Sequence, residues 1–240
     1  MGLRNLPGVG LGLAALVLSA ASAASAAPPA ASRSGVTAVH LTSSVASSLP
    51  LHGFKKTKGC GFTNGTSPSG NGVIAQDLYD LGIVADGADD FVCARSAKLK
   101  SVRWLGYYYG GGGPAESFNV YVYADNRGEP SDTAMCSYPE QKLRDLGGVS
   151  FPNFTIKKLK GSACKLRADT TYWLEVQAHM AFQLGGQFGW AVTPDQTGHA
   201  ADWRNPDGGF GTSCAVFQNG TDMQTCVGIS GTPDFMFSVK

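Results

Sequence analysis

The sequence predicts an all-β protein, a two-sheet antiparallel sandwich or jelly roll stabilised by disulfides. Short segments with period-2 alternation dominate the chain after about residue 52. The 32 glycines provide many turns, and Gly-rich or Asn/Asp-rich runs at 110–114, 125–130 and 205–209 separate the segments. The six cysteines form an even set, which is typical of a disulfide framework. Many short strands joined by such turns favour two packed sheets.

Nine segments are predicted as strands, and two of them alternate clearly. The predicted strands are residues 90–94, 99–109, 117–124, 154–159, 170–179, 188–192, 200–204, 215–218 and 235–239. In 117–124, Phe118, Val120 and Val122 point to one face. In 170–179, Tyr172, Leu174 and Val176 do the same. A single short helix is predicted at 140–146.

The N-terminal residues predict export. One basic side chain, Arg4, precedes an apolar run at 9–20 that is too short to span a bilayer, and Ala24 and Ala26 give the small-x-small pattern of a cleavage site. Residues 1–26 are therefore predicted to be a signal peptide, and the mature protein is expected to be secreted. Residues 27–56 are predicted as an Ala/Ser/Pro-rich flexible spacer, and 57–240 as a single β-sandwich domain.

Charge and hydropathy narrow the classes of partner. The formal net charge is +1 and the basic residues are scattered, so no basic stripe is available for a nucleic-acid backbone. After the signal peptide no segment reaches the ~18 apolar residues of a membrane helix. We therefore expect no nucleic-acid partner and no membrane span in the mature form.

The cysteines leave 15 possible connectivities. An antiparallel sandwich brings cysteines on consecutive or next-but-one strands within bridging distance, which favours partners adjacent in sequence. We predict the pairs Cys60–Cys93, Cys136–Cys164 and Cys214–Cys226.

A row of aromatic and polar side chains is predicted opposite the core. The alternation assigns to this face Trp173, Glu175 and Gln177 of one strand and Tyr121 and Tyr123 of another. Flat rings bind the apolar faces of sugars while neighbouring polar groups bind hydroxyls, so these residues are candidates for a glycan-binding site. The alternative is that the same rings are covered by a loop and belong to the core.

Residues 199–214 are predicted to form a loop-rich rim. Pro206 and the surrounding glycines disfavour regular structure, and the rim would present Trp203, Arg204 and Asn205 to a ligand. In the alternative interpretation, Trp203 is buried beneath a connecting loop and Arg204 covers it.

The sequence supports no catalytic residue directly. The string nearest to a G-x-S-x-G motif, at 211–215, ends in Ala215 and lies beside a predicted disulfide. If the protein hydrolysed a polysaccharide, Glu175 and Asp202 would be the acid/base candidates.

Calcium is the one cofactor with candidate ligands. Asp86, Asp89 and Asp90 form the densest acidic cluster, on a Gly-containing segment, but they lack the D-x-D-x-D-G spacing of a calcium loop. Hydrogen bonds that cap a turn or begin a strand explain such residues more often than calcium does. No other cofactor is expected.

Several motifs resemble those of exported bacterial β-sandwich proteins of the choice-of-anchor type. The resemblance rests on 88–91, the Gly-rich turn that ends at Pro114, 117–125, 171–173 and 189–190. It implies an exported sandwich fold but assigns no catalytic residue, because those proteins are largely without assigned activity. A C-terminal sorting segment of the kind that anchors proteins to a surface is not recognisable.

The sequence thus predicts a secreted, non-catalytic protein that binds an extracellular glycan or cell-wall polymer. Two alternatives remain open: a secreted hydrolase acting on polysaccharide, and a structural or adhesive surface protein whose partner is another protein.

Overall fold

The fold is seen in a computed structural model that describes residues 40–42, 59–110, 112–142, 153–217 and 223–240. Strands dominate these residues. In chain order the strands are β1 His40–Thr42, β2 Phe62–Asn64, β3 Asn71–Ile74, β4 Gln76–Leu78, β5 Ile83–Val92, β6 Ala97–Lys98, β7 Val102–Tyr109, β8 Ser117–Asp125, β9 Pro130–Gln141, β10 Asn153–Ile156, β11 Lys165–Leu166, β12 Thr171–Met180, β13 Gln187–Thr193, β14 Asp202–Arg204, β15 Asp234–Phe235 and β16 Phe237–Val239. Two helices of one turn or little more are α1 Phe182–Gly185 and α2 Met223–Val227.

Two large sheets form a sandwich, as the sequence predicts. One has the strand order β1-β3-β13-β7-β16-β2, with β10 added to β7 and β15 added to β13. The other has the order β14-β5-β4-β12-β8-β9, and β5 also pairs with β12. Nearly all pairs are antiparallel, but β4 runs parallel to β12. The strands β6 and β11 form a separate two-stranded sheet.

The core lies between the inner faces of the two sheets. Alternate residues of β8 and β12 point inward, and Phe118, Val120 and Leu174 are fully buried there. From the opposite sheet, Trp190 stacks on the ring of Phe235 with centroids 4.4 Å apart. The two-residue period of the sequence therefore places the apolar face of each central strand correctly.

Glycine allows one close approach within this core. A Cβ at Gly106 of β7 would lie 2.3 Å from the ring of Phe188 and 3.0 Å from the carbonyl oxygen of Gly189. A side chain of any size would displace the ring and the neighbouring strand, so the packing of β7 against β13 requires glycine here.

All three predicted disulfides are present. Cys60–Cys93 closes a separation of 33 residues, Cys136–Cys164 one of 28 and Cys214–Cys226 one of 12. Their Cα atoms are 4.4, 5.7 and 5.9 Å apart, within the range that a disulfide requires. The first bridge ties the segment before β2 to the end of β5, and the third holds the loop after β14 to α2.

Two local predictions are wrong. The helix predicted at 140–146 is contradicted at Glu140 and Gln141, which end the long strand β9, while residues 143–146 lie outside the described residues. Their tertiary contacts override helix propensity, because the Glu140 N–H donates to Asn119 and the Gln141 side chain bonds the backbone of Lys160. The strand predicted at 215–218 is absent from its described part, 215–217, where Phe217 folds onto another strand instead.

The predicted spacer is also structured at one point. His40–Thr42 form β1, which pairs antiparallel with β3, so the prediction of an unstructured 27–56 is wrong at these three residues. The signal peptide predicted at 1–26 lies outside the described residues, as does the rest of the spacer. In the part of the chain that is described, no helix has the length and apolar character needed to cross a membrane.

Reduction of the three disulfides is expected to unfold the protein near 37 °C. By the loop-entropy relation each bridge contributes about 3 to 4 kcal/mol, and together they contribute about 10 kcal/mol, which equals the stability of a typical domain. Thermal unfolding followed by circular dichroism, before and after reduction and alkylation, measures this. A reduced protein that unfolds cooperatively within a few degrees of the oxidised one would contradict it.

Candidate functional site

The outer face of the six-stranded sheet carries a band of polar and aromatic side chains, here called the polar face. It brings together six residues that the sequence assigned to a ligand: Trp173, Glu175 and Gln177 of β12, Tyr121 and Tyr123 of β8, and Arg204 of β14. It also includes Asn119 of β8, Asp77 of β4, Asp86 of β5, and His179 of β12. The register fixes this grouping, because Glu175 lies opposite Tyr121 and Gln177 opposite Asn119.

A chain of hydrogen bonds crosses the polar face from one edge strand to the other. The Glu140 N–H of β9 donates to Asn119 Oδ1 at 3.0 Å, and Asn119 Nδ2 donates to Gln177 Oε1 at 2.8 Å. Gln177 Nε2 then donates to Asp86 Oδ1, and Arg204 Nε donates to Asp86 Oδ2 at 2.6 Å. Because a backbone N–H can only donate, the first bond fixes the orientation of both amides. The chain therefore holds five strands in register through their side chains.

A second carboxyl group, Glu175, joins this chain beside Asp86. Glu175 is 1% exposed, and Tyr123 donates its hydroxyl to Glu175 Oε2 at 2.7 Å. Burial raises the pKa of Glu175 well above its usual range, and the charge of Asp86 raises it further. Burial also raises the pKa of Asp86, against the opposing effect of Arg204. The two carboxyls thus share one guanidinium.

Arg204 supplies the positive charge that faces the two carboxyls of the polar face. Its Nη2 lies 3.9 Å from Glu175 Oε2, and its side chain is 22% exposed. Burial lowers the pKa of Arg204, but the charges of Asp86 and Glu175 outweigh this and raise it overall. The Cζ atom lies 4.2 Å from the centroid of the Phe217 ring, a cation–π contact. Arg204 is therefore held between two carboxyls and an aromatic ring.

One half of the polar face is covered, which corrects the expected exposure of Trp173 and Tyr123. Trp173 is fully buried; its Nε1 donates to Asp125 at 3.0 Å and His199 stacks on its ring. Tyr123 is 4% exposed because Phe217 packs edge-on against it, with centroids 5.7 Å apart. The prediction that Trp173 lies on an exposed aromatic surface is wrong, since the loops that cover it come from distant parts of the chain.

The other half of the polar face remains open. Tyr121 and Arg204 are half-buried, as are His179 and Asp77, while Asn119 and Gln177 form the floor between them. Here β4 inserts between β5 and β12, so Gln177 and Asp86 bond across the point at which two strands separate. We call this part the open half; it combines one accessible ring with oriented polar groups.

The predicted rim at 199–214 presents fewer groups than expected. Trp203 belongs to the main core, where it is fully buried and donates Nε1 to the carbonyl of Ile74 at 2.7 Å. Asn205 is 1% exposed. The interpretation of Trp203 and Asn205 as exposed ligand residues is therefore wrong, because β14 pairs with β5 and turns Trp203 inward. Of the three residues predicted on the rim, Trp203, Arg204 and Asn205, only Arg204 reaches the surface.

The two acid/base candidates do not face each other across open space. Glu175 and Asp202 both pair with Ala88, from opposite sides, so β5 lies between them. Both are nearly fully buried. The acidic neighbour of Glu175 is Asp86 instead, a residue that sequence reasoning had considered only for calcium.

The three calcium candidates do not share a site. Successive residues of a strand point to opposite faces, so Asp86 and Asp90 lie on the outer face and Asp89 on the inner face. Within the described residues, no group of three or more His, Cys, Asp and Glu side chains is arranged to hold a metal ion. Asp90 accepts the His199 N–H at 3.2 Å, so it fixes a loop.

Asp89 belongs instead to a buried polar cluster with Asn64 and Asp234. Asn64 Nδ2 donates to Asp89 at 2.8 Å and to Asp234 at 3.3 Å. The Phe235 N–H donates to Asp89 at 2.6 Å, and the Thr197 N–H donates to Asp234 at 2.6 Å. Burial raises the pKa of Asp89 well above its usual range and that of Asp234 to about 6. This cluster joins β2, β5 and β15 and was not predicted.

Sequence reasoning also missed Asn119, Asp77 and His179. The alternation of 117–124 had placed Asn119 on the outward face, so a signal for that residue existed. Asp77 and His179 are far apart in the sequence and meet only because β4 lies parallel to β12, with His179 Nδ1 2.8 Å from Asp77 Oδ2.

Comparison with known proteins gives no match: no protein-family model, no curated protein and no solved structure is similar to this chain. The resemblance to the choice-of-anchor type stays a prediction, and function must be inferred from the polar face itself.

Replacement of Trp173 by Ala is expected to destabilise the fold by about 3 to 5 kcal/mol, because it leaves a cavity and removes the hydrogen bond from Trp173 to Asp125. Urea unfolding measures the change. Leu184→Ala is the control, since Leu184 is 82% exposed and its loss is expected to change stability by less than ~0.5 kcal/mol. Equal stabilities of the two variants would contradict the buried position of Trp173.

The buried cluster predicts that stability rises as the pH falls from about 7 to 4.5. The folded-state pKa values of Asp89 and Asp234 lie above their unfolded values, so the folded state binds protons more tightly in this window. The stabilising contribution of Asp234 is complete below pH ~4 and is lost as the pH rises through about 6, and Asp89 acts in the same direction. Thermal unfolding across this range measures the trend.

Asp234→Asn tests the assignment, because it keeps the size of the side chain and removes its titration. The increase in Tm on acidification is expected to be smaller in this variant, by roughly 2 to 4 °C for each kcal/mol lost. Asp132→Asn, at an exposed position on β9, is the control and is expected to follow the wild-type profile. An unchanged profile in Asp234→Asn would contradict the prediction.

Proposed function

We propose that this protein binds an extracellular glycan at the open half of the polar face. The observation that carries the proposal is the hydrogen-bond chain from Glu140 to Arg204, which orients polar groups beside the half-buried ring of Tyr121. A ring for the apolar face of a sugar, next to oriented acceptors and donors for its hydroxyls, is the chemistry that carbohydrate recognition needs.

Preorganisation supports binding. The Asn119 and Gln177 amides are fixed by their neighbours, and Arg204 is fixed by Asp86 and Phe217. Groups that are already ordered lose little conformational entropy when a ligand arrives, so weak contacts with hydroxyls suffice. The half-buried Tyr121 has a pKa raised to about 12, chiefly by burial, so its hydroxyl stays neutral and available as a donor.

The charge of the polar face favours particular glycans. Three carboxyl groups, those of Asp77, Asp86 and Glu175, lie on this face beside the single guanidinium of Arg204. An anionic polymer would meet these carboxyls at short range, which is unfavourable. The proposed ligand is therefore a neutral or amino-bearing polysaccharide, in preference to a uronic acid polymer.

We further propose that the protein acts outside the cell. Three disulfides are compatible with an oxidising compartment, since cytosolic thiols are kept reduced. The predicted signal peptide at 1–26 supports the same location.

Tyr121→Ala is expected to weaken binding about tenfold, through loss of a ring contact that contributes ~0.5–1.5 kcal/mol together with its buried area. Retention on insoluble cellulose, chitin and xylan, followed by calorimetry on soluble oligosaccharides of the retained polymer, measures this. Pectin and alginate serve as the anionic comparison and are expected to retain less protein.

Tyr107→Ala is the matched control. Tyr107 is also a half-buried tyrosine on an outer face, but it belongs to β7 of the opposite sheet. Its loss is expected to leave retention unchanged. Absence of retention on every polymer, or equal losses in both variants, would overturn the proposal.

A further inference from the structure

A serine, a histidine and an aspartate stand in one row across three adjacent strands at one end of the polar face. Ser117 of β8 lies directly opposite His179 of β12, and His179 lies directly opposite Asp77 of β4. All three occupy outward positions of their strands, because their neighbours Phe118, Ala178 and Leu78 are fully buried in the core. In the antiparallel pair of β8 and β12, directly opposed residues have Cβ atoms about 4.5–5.5 Å apart, so Ser117 is within reach of His179.

The imidazole of His179 is oriented to act as a general base. His179 Nδ1 lies 2.8 Å from Asp77 Oδ2. A carboxylate only accepts hydrogen bonds, so the proton of the neutral imidazole is on Nδ1 and Nε2 carries the free lone pair. This is the same relation of aspartate to histidine that orients the base in serine hydrolases.

The hydroxyl of Ser117 is both buried and without a hydrogen-bond partner. Ser117 is 1% exposed, and its Oγ has no hydrogen-bond partner. Among the described serines it is the only one whose hydroxyl is buried in this way. Burial of a hydroxyl without a hydrogen-bond partner is unfavourable, and a chemical role is one explanation of such a group in a native protein.

An exposed aromatic side chain packs on the histidine of this row. The ring of Tyr79 lies over His179 with centroids 4.8 Å apart, and its hydroxyl bonds Glu116, the residue before Ser117. Tyr79 is 44% exposed and lies in the turn after β4. Rotation of this one side chain away from His179 would uncover the row while leaving the strands in place.

We propose that Ser117, His179 and Asp77 form a nucleophilic site that hydrolyses esters, with Tyr79 as its movable cover. The row adjoins Asn119 and Gln177 of the open half, so the substrate class is an acyl ester of a sugar hydroxyl. That choice of substrate rests on the proposed function, whereas the site itself does not.

Hydrolysis of an ester at this site needs water as its only co-reactant. Ser117 Oγ attacks the ester carbonyl carbon while His179 Nε2 takes the hydroxyl proton. The bond from that carbon to the sugar oxygen then breaks, and the imidazolium returns the proton to the departing alcohol. A water molecule attacks the acyl-serine, His179 takes its proton, and Ser117 regains a proton as the carboxylic acid leaves. Asp77 holds the imidazole throughout and stays ionised.

A fluorophosphonate probe tests the nucleophile directly on the oxidised, full mature protein. The probe forms a covalent adduct with an activated serine, and peptide mass spectrometry locates it. We expect an adduct on Ser117, no adduct in Ser117→Ala, and labelling that is slowed about 10²- to 10⁴-fold in His179→Gln. Tyr79→Ala is expected to speed labelling, because it removes the cover.

Ser137→Ala is the control, since Ser137 is an exposed serine of the neighbouring strand β9 with Tyr121, and not a histidine, opposite it. Its labelling is expected to match the wild type. Circular dichroism and Tm of each variant show that the fold is retained. Hydrolysis of p-nitrophenyl acetate and of acetylated xylan gives the activity readout.

The inference is overturned if neither the wild type nor Tyr79→Ala carries an adduct on Ser117, or if His179→Gln labels at the wild-type rate. These results are independent of polysaccharide retention. Retention without an adduct would leave the glycan-binding proposal in place and overturn the esterase proposal. An adduct without retention would leave the nucleophilic site in place and overturn the glycan-binding proposal.

Discussion

The register between β8 and β12 is the constraint on which both the core and the polar face depend. Eight residue pairs, from Tyr172↔Ala124 to His179↔Ser117, fix which side chains lie together. A slip by one residue would turn Phe118 and Val120 to solvent and bring Asn119 into the core, at a cost of several buried side chains. The same register that buries the apolar residues thus assembles the polar row on the opposite side of the sheet.

Buried charge is tolerated on this sheet because each charged group has specific partners. Asp86 accepts from both Gln177 and Arg204, and Glu175 accepts from Tyr123. Removal of one partner from such a pair leaves an uncompensated buried charge, which is more costly than the pair is stabilising. The network therefore specifies one arrangement of β14 against β5 more than it adds net stability. That arrangement also determines which half of the polar face is covered, because Phe217 packs on Arg204.

The loops decide which part of the polar face is accessible. The Cys214–Cys226 bridge and the packing of Phe217 on Tyr123 hold the segment after β14 over one half of the sheet. The stacking of His199 on Trp173 closes the edge of the same half. What stays accessible, around Tyr121 and His179, is thus defined by the loops that carry His199 and Phe217, which are distant in sequence from the residues Trp173 and Tyr123 that they cover. Binding and nucleophilic chemistry are both proposed at this accessible remainder.

The sequence by itself determined the fold class, the presence of a disulfide framework and the faces of the central strands, because period-2 alternation, turn residues and an even cysteine count are visible without the fold. The three disulfide pairs were predicted only by assuming a sandwich, since the sequence alone leaves 15 connectivities. It grouped Tyr121, Glu175 and Gln177 on one face without knowing their register, and it placed Arg204 on a separate rim. Only the tertiary structure decided that Trp173 and Trp203 are buried, that Glu175 pairs with Asp86 and not Asp202, and that Asp77 and Ser117 flank His179. Burial depends on which distant loop covers a face, and a pair across strands depends on strand order. Neither quantity is encoded in the alternation of a single segment.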